Sequence, residues 1–255
     1  MTSPIHAILN ESRFLFLSHP NIISIIKTQD HEQIIFKREE LNVSAIVMEL
    51  ARYGDFSKIV MQPFFTQDEK LVRTYFRQFI EGLGYLHKNS VAHLDIKLEN
   101  LLLTEQFTLK ISDFDHAFIE GDPKIKTKGT QNSRAPELGK MKCDYPKAAD
   151  IYSAGIILFA LRTGSFPWTE DEEGDFEPLL ACEDSEAFWK IYEEIIEESL
   201  ELSPDFKELF FSMVRADPQK RVTVEEIKEN SWFQGPVYSE QELKILMCEH
   251  MIDTY

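Results

Sequence analysis

Apolar residues recur every three or four positions between residues 71 and 86. The repeat consists of Leu71, Val72, Tyr75, Phe76, Phe79, Ile80, Leu83 and Leu86. This spacing predicts one long amphipathic helix with a single apolar stripe. The preceding residues Thr66-Gln-Asp-Glu69 have the form of a capping box, so the helix is expected to begin there and to end near residues 87–90.

The first fifty residues carry a different pattern. Ser3-Pro4 resembles an N-cap followed by a first-turn proline, and the apolar positions from there to Leu17 suit a short helix. Three short runs rich in Ile and Val, residues 22–29, 32–39 and 43–50, predict strands. A small mixed region is therefore expected ahead of the long helix.

The chain after the long helix predicts a hairpin, a loop and further helices. Residues 100–114 suit a β-hairpin that turns at residues 104–107, and residues 115–136 have no apolar period and suit a long loop. Helical patterns return after Pro146, where the apolar run 154–161 indicates a buried helix. Thr223 and Ser239 each begin a further capping box. A cleft between a small mixed region and a larger helical one is a common place for a ligand site.

The net charge of the chain disfavours two classes of binding partner. Of 255 residues, 44 are acidic and 27 are basic, which gives a formal net charge of −17. Such a surface repels phosphate backbones, so no nucleic acid and no anionic membrane is expected as a partner. The acidic segment 171–177 is expected to be a solvated loop.

Cysteine usage and the N-terminus predict a cytoplasmic, intracellular location. Cys143, Cys182 and Cys248 are far apart and odd in number, which fits neither a disulfide framework nor a metal site. The N-terminus has no basic segment followed by an apolar one, as a secretory signal would. The apolar run 154–161 is far shorter than the roughly 20 residues that span a bilayer.

The candidate chemistry lies in residues 92–100, Ala-His-Leu-Asp-Ile-Lys-Leu-Glu-Asn. Polar and apolar residues alternate there, so a plain strand is one interpretation. In the other, Asp95, Lys97 and Asn100 lie on the loop that enters the hairpin, and Asp113 lies where the hairpin ends. Because the two ends of a hairpin are close in space, two acids, an amide and an ammonium then converge.

These four side chains together suit phosphoryl transfer. Asn100 and Asp113 offer hard oxygen ligands that suit Mg²⁺, which retains waters and takes further ligands from substrate phosphates. Lys97 is a point charge for a phosphoryl oxygen, and Asp95 is left to accept a proton from an incoming hydroxyl. Metal, cation and base are the components by which phosphoryl transfer is catalysed.

The pattern resembles the eukaryotic protein kinases, whose catalytic loop H-R-D-x-x-x-x-N is followed by D-F-G and A-P-E. The corresponding residues here, in the same order, are His93-Leu94-Asp95 with Asn100, Asp113-Phe114-Asp115, and Ala135-Pro136-Glu137. Further matches are "HPNII" at residues 19–23, "IVMEL" at 46–50, Asp150 in the buried helix, and Arg221, which pairs in the family with the acid equivalent to Glu137. The resemblance extends from about residue 5 to 235.

The resemblance implies a Ser/Thr kinase that uses ATP and Mg²⁺ on protein substrates. Lys97, two residues after Asp95, and Thr130 match the Ser/Thr class, and the nearest group is the calcium/calmodulin-dependent and related kinases. On the same basis we expect Met48 as the gatekeeper and Glu49 to Ala51 as the adenine-facing backbone. Leu102 is expected beneath the adenine, or is an ordinary core leucine, and Asp55 at the ribose, or is a helix N-terminal acid. His93, Asp150 and the Glu137–Arg221 pair are expected to be structural.

The implied fold is α+β and two-lobed, a protein-kinase-like fold with a small, truncated, mixed N-lobe and a larger, mainly helical C-lobe. We expect a kinase domain over residues 1–235, divided into an N-lobe remnant at 1–50 and a C-lobe at 51–235. Residues 236–255 are expected to form a C-terminal helical extension, either an extra helix packed on the domain or a contact for a partner.

The sequence departs from the kinase pattern at four points. The Gly-rich loop and the ATP-anchoring lysine would lie ahead of Met1. An incomplete gene model would account for the missing strands; if the chain as written is the real protein, weak or no ATP binding is expected. Asn10 stands where helix C carries a glutamate, with Glu11 beside it. Leu94 replaces the arginine that reads an activation-loop phosphate, although Thr127 and Thr130 remain candidate acceptors. Asp115 replaces a glycine, and Asp tolerates unusual backbone angles. A catalytically impaired pseudokinase, acting as a binding module, is the alternative interpretation.

Overall fold

The computed structural model describes residues 10–36, 39–122, 130, 133–139, 143–167, 184–195 and 200–251. Three expectations from the sequence lie outside these residues: the start of the N-terminal helix, Thr127, and the acidic loop 171–177. Within the described part, residues 10–11 are helical and lead into a 3₁₀ turn, Ser12–Phe14.

A long β-hairpin dominates the N-terminal region. β1, Ile25–Phe36, pairs antiparallel with β2, Glu39–Met48. The separate strands predicted at 22–29 and 32–39 were wrong, because they form one strand whose register shifts between Gln29 and Glu32. A β-bulge takes up the one extra residue that β1 has at this shift.

The chain segment ahead of this hairpin joins it to the rest of the molecule. The backbone N–H of Ile23 donates to the carbonyl of Ile111 at 2.9 Å, and the N–H of Ile111 donates to the carbonyl of Asn21 at 2.9 Å. Helix α3, Glu69–Lys88, approaches the same segment at Gly82, where a Cβ would lie 2.8 Å from the Asn21 carbonyl oxygen. Only glycine permits this close approach without a backbone shift.

Short strands and helices fill the middle of the chain. The remaining strands are β3, Gly54–Asp55; β4, Val91–Ala92; β5, Leu101–Leu103; β6, Leu109–Ile111; and β7, Phe118–Ile119. The predicted hairpin is confirmed as β5 and β6, with β3 on its other side, while β4 pairs with β7. β7 lies within the predicted long loop. Its two residues pair with β4, which lies 26 or more positions earlier, and so short a strand leaves no periodic signal.

The helices make up most of the remainder. They are α1, Ser57–Val60; α2, Pro63–Thr66; α3; α4, Pro146–Thr163; α5, Ser185–Ile195; α6, Pro204–Met213; α7, Val224–Glu229; α8, Ser231–Gln234; and α9, Glu240–Met251. α4 is buried along most of its length, as its apolar run predicted, and ends at Gly164 with a left-handed φ of 72°. The arrangement is α+β, with a small strand-rich N-terminal region and a larger helical region.

Caps set the ends of these helices. The predicted capping box at Thr223 is present in full, and Ser239 forms the same reciprocal bonds with Glu242. The box predicted at Thr66 was wrong, because Thr66 closes α2 and the side chain of Asp68 caps α3 by accepting from the Leu71 N–H at 3.0 Å. Asp68 is extended and one residue ahead of the helix, so it takes the cap position.

The C-terminal helix α9 packs on the helical region. Leu243, Met247 and Met251 are buried, and Tyr238, just ahead of α9, donates its hydroxyl to Asp68 at 2.7 Å. This hydrogen bond to a carboxylate raises the pKa of Tyr238 to about 12. No helix among the described residues has both the length and the apolar character needed to cross a membrane.

Candidate active site

One buried carboxylate holds the loop from His93 to Asn100. Asp150, in α4, accepts hydrogen bonds from the backbone N–H groups of His93 and Leu94 at 2.8 Å each, and its Oδ2 lies 2.9 Å from His87 Nε2. The Asp150 side chain is fully buried, so these three partners replace its hydration. They also hold Leu94 at φ 63°, a left-handed angle that leucine rarely adopts. The strand interpretation of residues 92–100 is therefore wrong beyond Ala92.

His93 orders this loop from within. Its ring is fully buried, its Nε2 lies 2.9 Å from the carbonyl oxygen of Ser112, and its Nδ1 accepts from the Asp95 N–H at 3.3 Å. Both ring nitrogens are thus engaged with backbone groups. This is the structural role that the sequence analysis expected of His93.

The carboxylate of Asp95 is the centre of a polar cluster. Lys97 Nζ donates to Asp95 Oδ2 at 2.8 Å and to Thr130 Oγ1 at 3.0 Å. Thr130 donates to Asp95 Oδ1 from its N–H at 2.8 Å and from its hydroxyl at 2.6 Å. Asn100 Nδ2 donates to the Asp95 carbonyl at 2.9 Å and, more weakly, to Oδ2 at 3.3 Å. Residues far apart in the sequence are therefore tied to one side chain.

This cluster shifts the pKa values of Asp95 and Lys97 in opposite directions. Burial alone would raise the pKa of Asp95, but the hydrogen bonds from Lys97 and Thr130 outweigh it and lower that pKa. Burial alone would lower the pKa of Lys97, but the hydrogen bond that Lys97 donates to Asp95 and the charges of Asp95 and Asp113 raise that pKa. Both groups are consequently ionised at neutral pH.

Backbone hydrogen bonds bring Asp113 beside Asn100. The carbonyl oxygen of Asn100 accepts from the N–H of Ser112 at 2.9 Å and from its hydroxyl at 3.0 Å. These bonds join the two strands of the hairpin at its open end, opposite the turn. Asp95, Lys97 and Asn100 are therefore hydrogen-bonded together, and Asp113 directly follows the residue that binds the Asn100 carbonyl.

Asp113 adopts a left-handed conformation, with φ 64°. Its Oδ1 accepts the Asp115 N–H at 3.4 Å, a long bond of the kind that an Asx turn makes. Unusual backbone angles would be tolerated at Asp115, but among the described non-glycine residues positive φ occurs at Asp113 and not at Asp115. The replacement of glycine by Asp115 therefore places no side chain in a strained backbone.

The donor set fits a magnesium ion shared with a nucleotide. Asn100 directs its amide N–H group to Asp95, which leaves the amide oxygen for a cation, and Asp113 contributes a carboxylate. Two hard oxygen donors are too few for an all-protein cage, but they suit Mg²⁺ that is completed by water and phosphate oxygens. Within the described ranges, no group of three or more His, Cys, Asp or Glu side chains forms a metal site of another type.

Three buried rings form a column beside the site. The ring of Phe114 lies 5.4 Å from that of Phe14 and 5.3 Å from that of His93. All three side chains are almost inaccessible to solvent. Sequence reasoning did not single out Phe14, whose only signal was an apolar position four residues after Asn10. The column links the N-terminal helical turn to the loop that carries Asp95.

The residues expected at the adenine lie just after β2. Met48 is the last residue of that strand, and the Glu49 carboxylate is occupied by the Ser24 N–H at 2.7 Å and Lys110 Nζ at 2.8 Å. The Glu49 N–H donates to Ser24, and the carbonyl of Ala51 accepts from Gly54. The Glu49 carboxylate, the Glu49 N–H and the Ala51 carbonyl are therefore engaged within the chain, and contact of this segment with an adenine stays a prediction.

Asp55 and Leu102 are neighbours across the small sheet. Leu102 lies two residues after Asn100, and it is directly opposite Asp55 in the pairing of β3 with β5. Leu102 is half-buried against the core. Asp55 Oδ1 accepts the N–H of Ser57 at 3.2 Å and also the Ser57 hydroxyl, at the start of α1. This contact corresponds to the helix N-terminal alternative for Asp55.

The Glu137–Arg221 pair is a largely buried ion pair with a structural role, as expected. Arg221 donates to both carboxylate oxygens of Glu137, at 2.5 and 2.8 Å, and to the carbonyl oxygens of Arg215 and Ala148. A bidentate pair whose other donors are satisfied avoids the penalty of a buried unpaired charge. It fixes the segment after Thr130 against α4.

The comparisons with known proteins agree with this geometry. Residues 3–233 match the protein kinase domain. The carbon catabolite-derepressing protein kinase of Secale cereale is 33% identical over 224 residues, covering 87% of this chain and 40% of that protein. The CBL-interacting serine/threonine-protein kinase 14 of Arabidopsis thaliana is 35% identical over 224 residues, covering 86% and 46%. The probable serine/threonine-protein kinase MARK-B of Dictyostelium discoideum is 34% identical over 218 residues, covering 82% and 29%.

The chain spans less than half the length of these curated relatives. The match to the protein kinase domain, residues 3–233, includes the loop from His93 to Asn100 and the Asp113 segment. The domain match, the relatives and the two-region α+β fold together show that this chain belongs to the eukaryotic protein kinase family, of the serine/threonine type.

Proposed function

We propose that this chain is the catalytic domain of a protein kinase that transfers the γ-phosphoryl group of ATP to Ser or Thr hydroxyls of a protein. The observation that carries the proposal is the hydrogen-bonded cluster of Asp95, Lys97 and Asn100, with Asp113 next to Asn100 across the closed end of the hairpin. A binding module has no need for a base, a cation and two oxygen ligands at one point.

Asp95 is the proposed base. Its lowered pKa keeps it ionised at neutral pH, so it can orient the hydroxyl of the substrate and accept its proton. A weak base suffices, because phosphoryl transfer depends mainly on positioning and charge stabilisation. Thr130 and Lys97 fix the rotamer of Asp95 by donating three hydrogen bonds to its carboxylate. A fourth hydrogen bond, from Lys97 to Thr130, links the two donors.

Lys97, Asn100 and Asp113 are proposed to act on the phosphate side. Lys97 has a raised pKa and remains a cation, which stabilises negative charge on the transferred phosphoryl oxygens. Asn100 and Asp113 would hold Mg²⁺, which neutralises phosphate charge when bound. Met48, the backbone of Glu49 to Ala51, and Leu102 are proposed to contact the adenine. Asp55, whose Oδ1 binds Ser57 at the start of α1, is proposed to reach the ribose with its other carboxylate oxygen.

The proposal is tested by nucleotide binding and by transfer. The midpoint of thermal unfolding of the whole chain is measured with and without Mg-ATP, for the natural sequence and for Asp113→Asn. Because ATP binding by the chain as written is expected to be weak, stabilisation of the natural chain by Mg-ATP should emerge at high nucleotide concentration and grow with that concentration. Asp113→Asn keeps the shape of the side chain but loses the charged ligand, so its stabilisation should be several-fold smaller.

Asp115→Asn is the matched control, because it removes the same charge two residues away from a side chain that is not a proposed ligand. Transfer of phosphate to a mixture of Ser- and Thr-containing peptides completes the test. If the natural chain shows no transfer and responds to Mg-ATP no more than Asp113→Asn does, the proposal is wrong.

A second candidate is a pseudokinase that binds a partner protein. The observation that favours it is Asn10, because an amide at this position cannot form the ion pair that holds the ATP-anchoring lysine in active kinases. Stabilisation by Mg-ATP without measurable transfer would favour this candidate. A protein substrate with a Ser or Thr acceptor, and an intracellular location, remain predictions that accompany the first candidate.

A further inference from the structure

The side chain of Asn10 binds the backbone that follows Asp113. Its Nδ2 lies 3.2 Å from the carbonyl oxygen of Phe114, 2.6 Å from that of Asp115 and 3.0 Å from that of Ala117. An amide nitrogen carries two hydrogens, so three acceptors share them. Asn10 is 5% exposed, which means that water does not compete for these bonds.

Arg13 fixes the orientation of the Asn10 amide. Its Nη1 donates to Asn10 Oδ1 at 3.1 Å, and its Nη2 lies 2.8 and 2.9 Å from the two carboxylate oxygens of Asp122. Asp122 in turn accepts the Ile119 N–H at 3.2 Å. A reversed amide would turn its oxygen towards three carbonyl oxygens and its NH₂ towards a guanidinium. We refer to Asn10 and Arg13 together as the N-terminal clip.

The clip inverts the chemistry that the kinase resemblance implies at this position. A glutamate there accepts hydrogen bonds from a lysine, whereas Asn10 donates to main-chain carbonyls 104 to 107 residues away. A carboxylate in this place would face the same carbonyls with no hydrogen to give. Since Leu94 stands where an arginine would read a phosphate on the loop, the clip is a way to order the segment that requires neither a lysine nor a phosphate.

We propose that Asn10 is a positioning residue that holds residues 114–117, and through them the carboxylate of Asp113, in the arrangement beside Asn100. The function of that carboxylate rests on the proposed kinase activity, but the ordering of the segment does not. The segment is therefore ordered before any nucleotide, metal or phosphate is present.

Hydrogen–deuterium exchange of the full chain, without nucleotide or metal, tests this proposal directly. In Asn10→Ala the amides of residues 115–120 are expected to exchange about tenfold faster or more, because roughly one to two net hydrogen bonds are lost. Asn10→Asp should accelerate them further, since it also sets a charge against three carbonyls. The amides of α3 should not change in either variant.

Asn89→Asp is the matched control. Asn89 also donates its side-chain amide to a carbonyl, that of Tyr85 at 2.8 Å, but at the exposed end of α3. It should leave residues 115–120 unchanged. If Asn10→Ala exchanges like the natural chain, Asn10 does not order the segment. If α3 and residues 115–120 accelerate together, Asn10 is a general stability residue. Either result overturns the proposal. Arg13→Gln, which leaves Asn10 in place, serves if Asn10→Ala does not fold, and is expected to give a smaller acceleration confined to the same residues.

A second measurement separates positioning from stability. The Mg²⁺ concentration that gives half of the thermal stabilisation by ATP should be several-fold higher in Asn10→Ala than in the natural chain, whereas Asn89→Asp should not change it. An unchanged half-point would overturn the effect on Asp113. If the natural chain does not respond to Mg-ATP at all, the proposed function fails, and the exchange experiment still decides whether Asn10 orders the segment.

Discussion

Two side chains hold the backbone on either side of the candidate site, and they do so in opposite ways. Asp150 is a buried anion that accepts from two backbone N–H groups and from His87. Asn10 is a neutral amide that donates to three backbone carbonyls. A buried charge becomes costly as soon as one partner is lost, whereas a neutral amide loses only the net value of its hydrogen bonds. Asp150 is thus coupled to the stability of the whole domain, and Asn10 to the order of one segment.

The replacement Asp150→Asn tests this contrast most strongly. An asparagine can accept from one N–H with its oxygen, but its own NH₂ then faces the second backbone N–H, and Leu94 loses the contact that holds it at φ 63°. We expect a loss of about 3–5 kcal/mol in the free energy of unfolding. Urea denaturation at neutral pH measures it. A loss no larger than that of Asn10→Ala would erase the distinction between the two side chains.

The replacement Asp95→Asn addresses the carboxylate at the centre of the polar cluster, which neither Asp150 nor Asn10 contacts directly in the hydrogen bonds described above. If Asp95 is the base, the rate of phosphoryl transfer should fall by about 10²–10⁴-fold, while stabilisation by Mg-ATP persists. Asp217→Asn is a matched control, since Asp217 caps a short turn remote in sequence from the loop and should not alter the rate. A transfer rate that survives in Asp95→Asn would remove Asp95 from the mechanism and leave it a structural partner of Lys97 and Thr130.

The parts of the fold that could be predicted from sequence are those whose signals are local. The stripe on α3, the apolar run of α4 and the capping boxes at Thr223 and Ser239 each lie within one helix, and all are present. The hairpin of β5 and β6 was predicted for the same reason. β7 was missed because its two residues are strand only by virtue of pairing with β4.

The candidate site divides in the same way. The spacing of Asp95, Lys97 and Asn100, with Asp113 after the hairpin, was sufficient to predict their convergence because a hairpin returns the chain to its start. The contact of Asn10 with residues 114–117 had no comparable signal, because it joins positions more than 100 residues apart through main-chain carbonyls. Carbonyls are present at every residue, so no side-chain pattern in the partner segment marks them.

Gly82 tests the junction between the N-terminal segment and the helical region. In Gly82→Ala the new Cβ would lie 2.8 Å from the Asn21 carbonyl oxygen and 3.1 Å from Ile111 Cδ1. Because a backbone oxygen cannot move aside cheaply, we expect a loss of about 1–3 kcal/mol in the free energy of unfolding, despite the better helix propensity of alanine. Gly84→Ala in the same helix meets a side chain, Val224, and should cost less. Equal losses would mean that the junction is not rigid.

The smallest expected effect concerns pH, and it compares two carboxyl groups near Asp113. Burial raises the pKa of Glu11, and the charges of Asp113 and Asp115 act in the same direction, whereas the hydrogen bonds of Lys97 and Thr130 lower the pKa of Asp95 against the effect of burial. A raised carboxyl pKa contributes stability below the unfolded value near 4.5 that is lost as pH rises through the folded value. A lowered one contributes stability above the unfolded value near 3.8 that is lost as pH falls through the folded value.

The two variants Glu11→Gln and Asp95→Asn should therefore diverge from the natural chain in opposite directions. Between about pH 4 and pH 7, in the absence of Mg²⁺, the stability of the natural chain should fall relative to Glu11→Gln as pH rises, because ionised Glu11 is buried beside other acids. Relative to Asp95→Asn the natural chain should keep its advantage across this range and lose it as pH falls below about 4. Urea denaturation from about pH 3 to pH 7 measures both differences. The two differences in the free energy of unfolding should change with pH in opposite directions. If they change in the same direction, ionised Glu11 is not destabilised by burial and by Asp113 and Asp115, and the contrast between Glu11 and Asp95 is wrong.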